Sequence, residues 1–227
     1  MESKLLQFNG VSWSVFRMGE SAWLIKPQID EALLDCIHKT NSLLERSEIP
    51  QLVDVIPAYD SLTLIFNSSS FNIFQISDIK SQLYNPETSL YEIPVCYNLG
   101  LDWDEMEQKT MLKKEEIISV HSSKEYTIAM TGFLPGFVFL EGLDEQISVS
   151  RKENPRIKVP SGSIGIGGNQ TGIYSIESPG GWQIIGRTPE LFFDVNQNPP
   201  IKFKAGDKVR FQQITNNEFL KLTSNER

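Results

Sequence analysis

The chain has 227 residues, of which 40% are hydrophobic and 22% are charged, the balance of a globular protein with a hydrophobic core. Its formal net charge of −8 argues against a nucleic-acid-binding protein, because such proteins bind mainly by neutralising phosphates with Lys and Arg. No apolar run approaches the roughly 18 residues of a membrane span, and the first residues lack the layout of a secretory signal, so we expect a cytoplasmic protein with no membrane segment.

The first part of the chain, residues 1–87, is predicted to be an α+β unit. Its elements, in chain order, are strands at 10–18 and 21–27, a helix at 29–46, strands at 51–59 and 61–67, and a short helix at 77–84. Pro27 and Pro50 mark the limits of the longer helix. The string "NPETS" at 85–89 is rich in turn formers and is the best linker candidate.

The second part, residues 88–227, changes in composition along its length. It begins with a strand at 90–98, whose Pro94 suggests a sheet edge or a bulge, followed by helices at 102–110 and 113–122 and a strand at 125–132. Eleven of the fifteen glycines then lie between Gly132 and Gly186, among short apolar runs. Short strands spaced about 8–12 residues apart predict a β-barrel or sandwich, which a hairpin at 202–214 would close.

Cysteine and histidine are scarce. Cys36 and Cys96 lie in apolar patterns, which favours buried thiols over a disulfide framework. His38 is predicted to be a helix-surface or core histidine, and without a Cys/His cluster no metal site is expected. His121 ends a predicted helix, where it could act as a general base or simply interact with the helix dipole.

The glycine-rich string "SGSIGIGGNQTGIYSIESPGGW" occupies residues 161–182. Its interleaved Ile, Tyr and Trp residues argue against a flexible linker. It also lacks the lysine of a phosphate-binding Walker loop, and Gln170 stands where a dinucleotide fingerprint needs its third glycine. Between Arg151 and Arg187 there are five basic and two acidic residues, which could attract a small anion or form a solvated surface. The spacing leaves open whether the glycines serve barrel corners or a pocket wall.

Several strings are shared with a known family. "HSSKEYTIAMTGFLPGFVFLEGL", "VPSGSIGIGGNQTGIYSIESPGGW" and "AGDKVRF" resemble the B subunit of 5-oxoprolinase, also called allophanate hydrolase subunit 1, of the carboxyltransferase C/D type. The family includes the Kip inhibitor of a sporulation histidine kinase. The resemblance covers about residues 12–215 and implies an α+β N-terminal domain, 1–87, followed by a mostly-β cyclophilin-like barrel, 88–227.

The resemblance also implies an activity. The expected function is a hydrolase that opens the cyclic amide 5-oxo-L-proline to L-glutamate with ATP and magnesium. It would act together with 5-oxoprolinase subunits A and C, one of which carries a second cyclophilin-like barrel. The alternative is an inhibitor that binds a histidine kinase and blocks its autophosphorylation.

The site residues are carried over by motif. His121 would transfer or orient a proton, and Arg156 would hold a carboxylate or phosphoryl group. Gln170 and Thr171 would hydrogen-bond the ring amide, while Tyr174 and Trp182 would form the apolar wall. The residues expected to bind substrate in the barrel groove are Phe133, Pro135, Phe137, Ser163, Thr171, Tyr174 and Trp182, and Gly136 is expected to line the same groove. The chain departs from the family pattern at Val138, which replaces a proline, and at Glu141, which adds negative charge near the expected groove.

Overall fold

The structure is a computed structural model that describes residues 4–78 and 87–225. The chain divides into two compact units, Met1–Glu87 and Thr88–Arg227. None of the helices among the described residues is long and apolar enough to cross a membrane. The predicted helix at 77–84 lies outside the described residues after residue 78, and so do residues 85 and 86 of the predicted linker at 85–89. Residues 87–89 form no helix or strand, and a 3-10 helix covers Ile73–Asp78.

The described residues of the first unit, 4–78 and 87, form a five-stranded antiparallel sheet with one α-helix. Its elements are β1 (Lys4–Phe8), β2 (Val11–Met18), β3 (Ala22–Pro27), α1 (Leu33–Arg46), β4 (Leu52–Pro57) and β5 (Leu62–Phe66). The strands are ordered β1-β2-β3-β5-β4. Alternation buries Trp13 and Val15 of β2, and the helical spacing of α1 buries Ile37 and Leu44 in the same core.

Most of the predicted elements of this unit are confirmed, with two corrections. The helix begins at Leu33 rather than at residue 29, because Ala32 has a φ of 52° and this left-handed conformation cannot continue a helix upstream. Strand β1 has no counterpart among the predicted elements. Cys36 is only partly buried, whereas Cys96 in the second unit is fully buried, and both are free thiols.

The second unit is mostly β. Its strands are β6 (Leu90–Val95), β7 (Glu125–Thr131), β8 (Val138–Glu141), β9 (Arg156–Val159), β10 (Ser163–Ile166), β11 (Thr171–Ile173), β12 (Ser178–Gly180), β13 (Gln183–Arg187) and β14 (Lys208–Gln213). Its helices are α2 (Trp103–Thr110), α3 (Lys114–Ser122) and α4 (Asn216–Asn225). The predicted helices at 102–110 and 113–122 are thereby confirmed, whereas α4 has no predicted counterpart.

Seven of these strands form one curled sheet, ordered β13-β10-β11-β8-β7-β14-β6. Strand β6 lies at the sheet edge, as Pro94 indicated. The curl brings the end of β6 back to β13, where Cys96 and Arg187 exchange two backbone hydrogen bonds of 2.8 and 3.1 Å. Strands β9 and β12 form a separate two-stranded ribbon.

The curled sheet is covered on both faces. Consecutive residues of a strand point to opposite faces, so Ile185 of β13 packs in the main core while Ile184 packs in a smaller cluster on the other face. The smaller cluster also contains Phe137, Tyr174 and Trp182, all buried. It is this second, aromatic cluster that carries the candidate site.

The predicted hairpin at 202–214 is wrong. Strand β14 pairs in parallel with β6 and antiparallel with β7, and the residues before it form no strand. The reason is Asp207, whose buried carboxylate accepts the backbone N–H groups of Ser89 and Lys204 at 3.0 and 3.2 Å. These bonds fold residues 204–207 into a turn, so the chain enters β14 from a loop.

Candidate functional site

A pocket of about 280 Å³ opens beside the aromatic cluster. It is formed by the β7–β8 connection, the segment before β9, the end of β11 and the β12–β13 turn. Its lining residues are Phe133, Phe137, Phe139, Arg151, Lys152, Pro155, Tyr174, Gly180, Gly181 and Trp182. Pockets with apolar walls and a few polar groups are typical small-molecule sites.

The walls of the pocket are aromatic rings held edge to face. The Phe137 ring meets the Tyr174 ring at 5.0 Å and the Trp182 ring at 5.7 Å, with interplanar angles of 84° and 85°. Such pairs are favourable beyond the area they bury, so they stabilise the packing of the wall. Phe133 stands at the mouth, 66% exposed and with a φ of 67°, a conformation rare for a bulky residue. Backbone strain of this kind clusters at ligand sites.

Two glycines of neighbouring strands leave the space that the Trp182 side chain fills. Gly165 of β10 is paired with Gly172 of β11, and a Cβ atom at either would lie 3.0 Å from Trp182. Neither glycine has a positive φ, so they are needed for space rather than for conformation. By contrast, Gly162 and Gly168 have φ values of 79° and 71° and form turns. The glycine-rich string therefore serves both barrel corners and the pocket wall.

A buried carboxylate organises the basic side chains beside the pocket. Asp102, only 3% exposed as a side chain, accepts hydrogen bonds from Lys152 at 3.0 Å and from Arg156. Its second oxygen accepts the backbone N–H of Ile184 at 2.6 Å. Asp102 thus fastens the segment before β9 to strand β13, and it neutralises part of the positive charge that these residues bring.

Glu105 extends this network along α2. It pairs with Lys109 at 2.7 Å and with Lys152, and it accepts a hydrogen bond of 2.7 Å from the fully buried Gln183. The hydrogen bonds from Lys109 and then Lys152 lower the pKa of the Glu105 carboxyl to about 2. Glu105 therefore remains charged at any physiological pH.

His121 lies on the other side of the sheet, fully buried in the main core. The Tyr97 hydroxyl lies 2.8 Å from Nδ1, and Nε2 lies 3.0 Å from the Thr171 hydroxyl. The ring stacks on Phe211 at 4.6 Å, and the backbone carbonyl of His121 accepts the Tyr126 hydroxyl at 2.8 Å. Every polar atom of the side chain is therefore hydrogen-bonded inside the protein.

The hydrogen bonds assign the tautomer of His121. The Thr171 hydroxyl donates its one hydrogen bond to the Gly165 carbonyl, 3.0 Å away. It can therefore only accept a hydrogen bond from Nε2. Nε2 therefore carries the ring proton, and Nδ1 accepts from Tyr97. Burial lowers the pKa of His121 to about 3, so the ring is neutral near pH 7.

The structure gathers only part of the expected site. Phe133, Phe137, Tyr174 and Trp182 line the pocket together. His121, Ser163 and Thr171 do not, because each is enclosed within the folded sheet.

The other expected residues have different surroundings. Arg156 is held by Asp102 rather than presented to the pocket. Gln170 closes the β10–β11 turn through its carbonyl, which accepts the Gly167 N–H at 3.0 Å, and Pro135 is exposed with its carbonyl bonded to the Ser175 hydroxyl. The turn of Gly136, with a φ of 75°, leaves no room for a Cβ beside Phe192 and Phe193.

Sequence reasoning missed Asp102, Arg151 and Lys152 as site residues. The two basic residues belong to the locally basic stretch, which was a usable signal for an anion site. Asp102 gave a weaker signal as the first residue of the predicted helix at 102–110, because its contacts with Arg156 and Ile184 join positions about fifty and eighty residues apart.

Comparisons with known proteins agree with the resemblance. The family model described as "Carboxyltransferase domain, subdomain C and D" matches residues 13–203. A curated relative, the B subunit of 5-oxoprolinase from Bacillus subtilis (strain 168), is 36% identical over 231 residues, covering 92% of this chain and 96% of the relative.

Solved structures share the fold. The crystal structure of TTHA0988 matches 85% of this chain with a TM-score of 0.75 and 29% identity. TTHA0988 is longer, and the match covers 40% of its chain. The urea amidolyase of Kluyveromyces lactis has a TM-score of 0.74 over 98% of this chain and 16% of its own, and at 17% identity it shows the fold alone. The chain belongs to the carboxyltransferase subdomain C and D family, together with the relatives named as the B subunit of 5-oxoprolinase.

Proposed function

We propose that this chain is a subunit of an ATP-dependent 5-oxoprolinase, which opens 5-oxo-L-proline to L-glutamate together with subunits A and C. The name of its curated relatives supports the reaction class. The observation that carries the proposal is the pocket, which combines aromatic walls with basic side chains at its rim. A flat five-membered lactam bearing one carboxylate is complementary to both features.

The pocket residues divide the work of binding. Phe137 and Trp182 cover the apolar ring of the substrate and exclude water from it. The Tyr174 oxygen accepts the backbone N–H of Trp182, and burial raises the pKa of the phenol above its usual value. The phenol therefore stays protonated and can donate a hydrogen bond to the lactam carbonyl oxygen. Negative charge develops on that oxygen when water adds to the carbonyl carbon, and it is lost when the ring C–N bond breaks and the carboxyl group forms.

Three roles expected from the family change in this proposal. Recognition of the ring amide falls to Tyr174, because Gln170 and Thr171 do not line the pocket. Arg156 stabilises the wall through Asp102. His121 keeps the orienting part of its expected role. It is hydrogen-bonded to the Thr171 hydroxyl, which in turn bonds to the carbonyl of Gly165, the glycine that lies against Trp182.

Two observations support a site for ATP and magnesium outside the described residues of this chain. No group of three or more His, Cys, Asp or Glu side chains in residues 4–78 and 87–225 is placed to hold a metal ion. The glycine-rich string has no lysine for a nucleotide phosphate, and its glycines pack against Trp182. We therefore assign ATP binding to a partner subunit in the cytoplasmic complex, and we expect the second barrel, which the family implies, to pair with the cyclophilin-like barrel proposed for this chain.

The test is reconstitution. Purified chain is mixed with subunits A and C of the same genome, and glutamate release from 5-oxo-L-proline is measured with ATP and without it. We expect release only when all three proteins and ATP are present. Full activity of subunits A and C without this chain would overturn the proposal, as would a complete mixture that releases no glutamate while the chain inhibits histidine-kinase autophosphorylation.

A further inference from the structure

Arg151 is the basic residue of the pocket whose guanidinium lies over the Trp182 ring. Its guanidinium carbon lies 5.4 Å from the centroid of the Trp182 ring, and the residue is exposed. A guanidinium over an indole face keeps its in-plane N–H groups free to meet an anion. The position of Arg151 therefore suits a contact with a ligand lying against the same indole.

The other two basic residues near the pocket are already occupied. Lys152 is paired with Asp102 and Glu105, and Arg156 is paired with Asp102. Within the described part of the chain, Arg151 has no ion pair. It is thus the pocket cation whose charge is not already matched by a protein carboxylate.

The backbone around Arg151 is fixed on both sides. The Gly168 N–H bonds to the Val149 carbonyl at 2.8 Å, and the Lys152 N–H bonds to the Gly181 carbonyl at 2.6 Å. The side chain of Arg151 therefore starts from a rigid anchor beside the glycine-rich string and the β12–β13 turn. Because the backbone is already fixed, only the freedom of the side chain is lost on binding, which favours a specific contact.

The charge of Arg151 reaches into the pocket. Arg151 and Tyr174 line the same pocket of about 280 Å³, so one small molecule can contact both. A ligand with a carboxylate at one end and an amide carbonyl at the other has the matching pair of groups.

We propose that Arg151 is the carboxylate anchor of the pocket and determines its preference for small cyclic amides that carry a carboxylate over those that lack one. The proposal rests on the proposed function and deepens it by naming the residue that selects the substrate. Arg156, which the family resemblance suggested for this role, instead supports the wall.

The experiment compares Arg151→Gln with Lys158→Gln in the complex reconstituted with subunits A and C. Lys158 is the matched control, because it is an exposed cation paired with Glu177 and does not line the pocket. Steady-state kinetics at saturating ATP give KM and kcat for 5-oxo-L-proline. The affinity of each complex for 5-oxo-L-proline and for uncharged 2-pyrrolidinone is measured by NMR at the Trp182 indole N–H.

We expect Arg151→Gln to raise KM and weaken 5-oxo-L-proline binding about tenfold, with kcat and 2-pyrrolidinone binding nearly unchanged. Lys158→Gln should behave as the unmodified protein. Equal loss of both ligands, or no loss of either, overturns the anchor role. If 5-oxo-L-proline binds through Arg151 but no glutamate is released, the anchor stands and the proposed function falls. If glutamate is released with an unchanged KM, the function stands and the anchor falls.

Discussion

The indole of Trp182 lies directly against Gly167, so that a Cβ atom at position 167 would come within 2.8 Å of the ring carbons. Real Cβ contacts of this length are essentially absent from folded proteins, so the glycine is required by the tryptophan. The backbone at Gly167 has no positive φ, which leaves space as the reason for the residue. The pocket wall therefore depends on the glycine-rich string, because a glycine of that string leaves the space that the Trp182 indole fills.

Gly167→Ala should destabilise the protein by about 1–3 kcal/mol, because the added methyl overpacks the seat of Trp182. The change is measured by urea unfolding followed by tryptophan fluorescence. Gly181→Ala is the control, since a Cβ there would meet no atom closer than 3.5 Å. Equal stability of the two variants would mean that the Trp182 side chain can move away from position 167 without cost, which would contradict the tight packing of the indole against Gly167.

His121 should make stability depend on pH in the acid range. Its pKa of about 3 in the folded protein lies below its ordinary value of 6.5, so the unfolded chain binds the proton more readily. The contribution of neutral His121 is complete above pH 6.5 and is lost as the pH falls toward 3, by up to about 1.4 kcal/mol per pH unit. Unfolding between about pH 7 and 4 should show a smaller slope for His121→Gln. An identical slope in both proteins would contradict burial of a neutral imidazole.

Asp102→Asn should cost about 2–3 kcal/mol of stability, because it removes the charge that Lys152 and Arg156 share. Both partners are partly exposed and can regain water, which limits the loss. Thermal unfolding measures the change. Asp104→Asn, an exposed neighbour on α2, should leave the melting temperature nearly unaltered. A melting temperature of Asp102→Asn equal to that of the Asp104 variant would show that the network does not hold the segment before β9.

Phe133→Ala should raise KM for 5-oxo-L-proline several-fold while leaving stability within about 0.5 kcal/mol, since the side chain is mostly exposed and buries little surface in the free protein. The reconstituted complex provides KM, and urea unfolding of the chain provides stability. An unchanged KM would show that the mouth of the pocket does not contact substrate, and a large loss of stability would assign Phe133 to the core instead.

The strands and helices were largely predictable because they follow local alternation and helical spacing, as in β2, α2 and α3. The glycine-rich string was harder, since glycines that make turns and glycines that make space look alike in sequence. Gly168 and Gly167 are adjacent, yet the first has a φ of 71° and the second accommodates Trp182. Only the packing of the two strands separates these reasons.

The candidate site was predictable only where the residues belong to family strings. Phe137, Tyr174 and Trp182 were expected in the groove and meet in the pocket. The burial of His121 depends on which face of α3 meets the sheet, and the capture of Arg156 depends on Asp102, far away in sequence. Contacts of this kind are set by the tertiary fold, which no local pattern encodes.

Both the proposed function and the role of Arg151 require that 5-oxo-L-proline binds in the pocket of this chain. A crystal structure of the reconstituted complex with 5-oxo-L-proline and a non-hydrolysable ATP analogue would locate the ligand. We predict ligand density against the Trp182 indole, with the carboxylate at Arg151 and the lactam carbonyl at the Tyr174 hydroxyl. Ligand density bound wholly within the partner subunits, with this pocket holding only water, would contradict substrate binding by this chain.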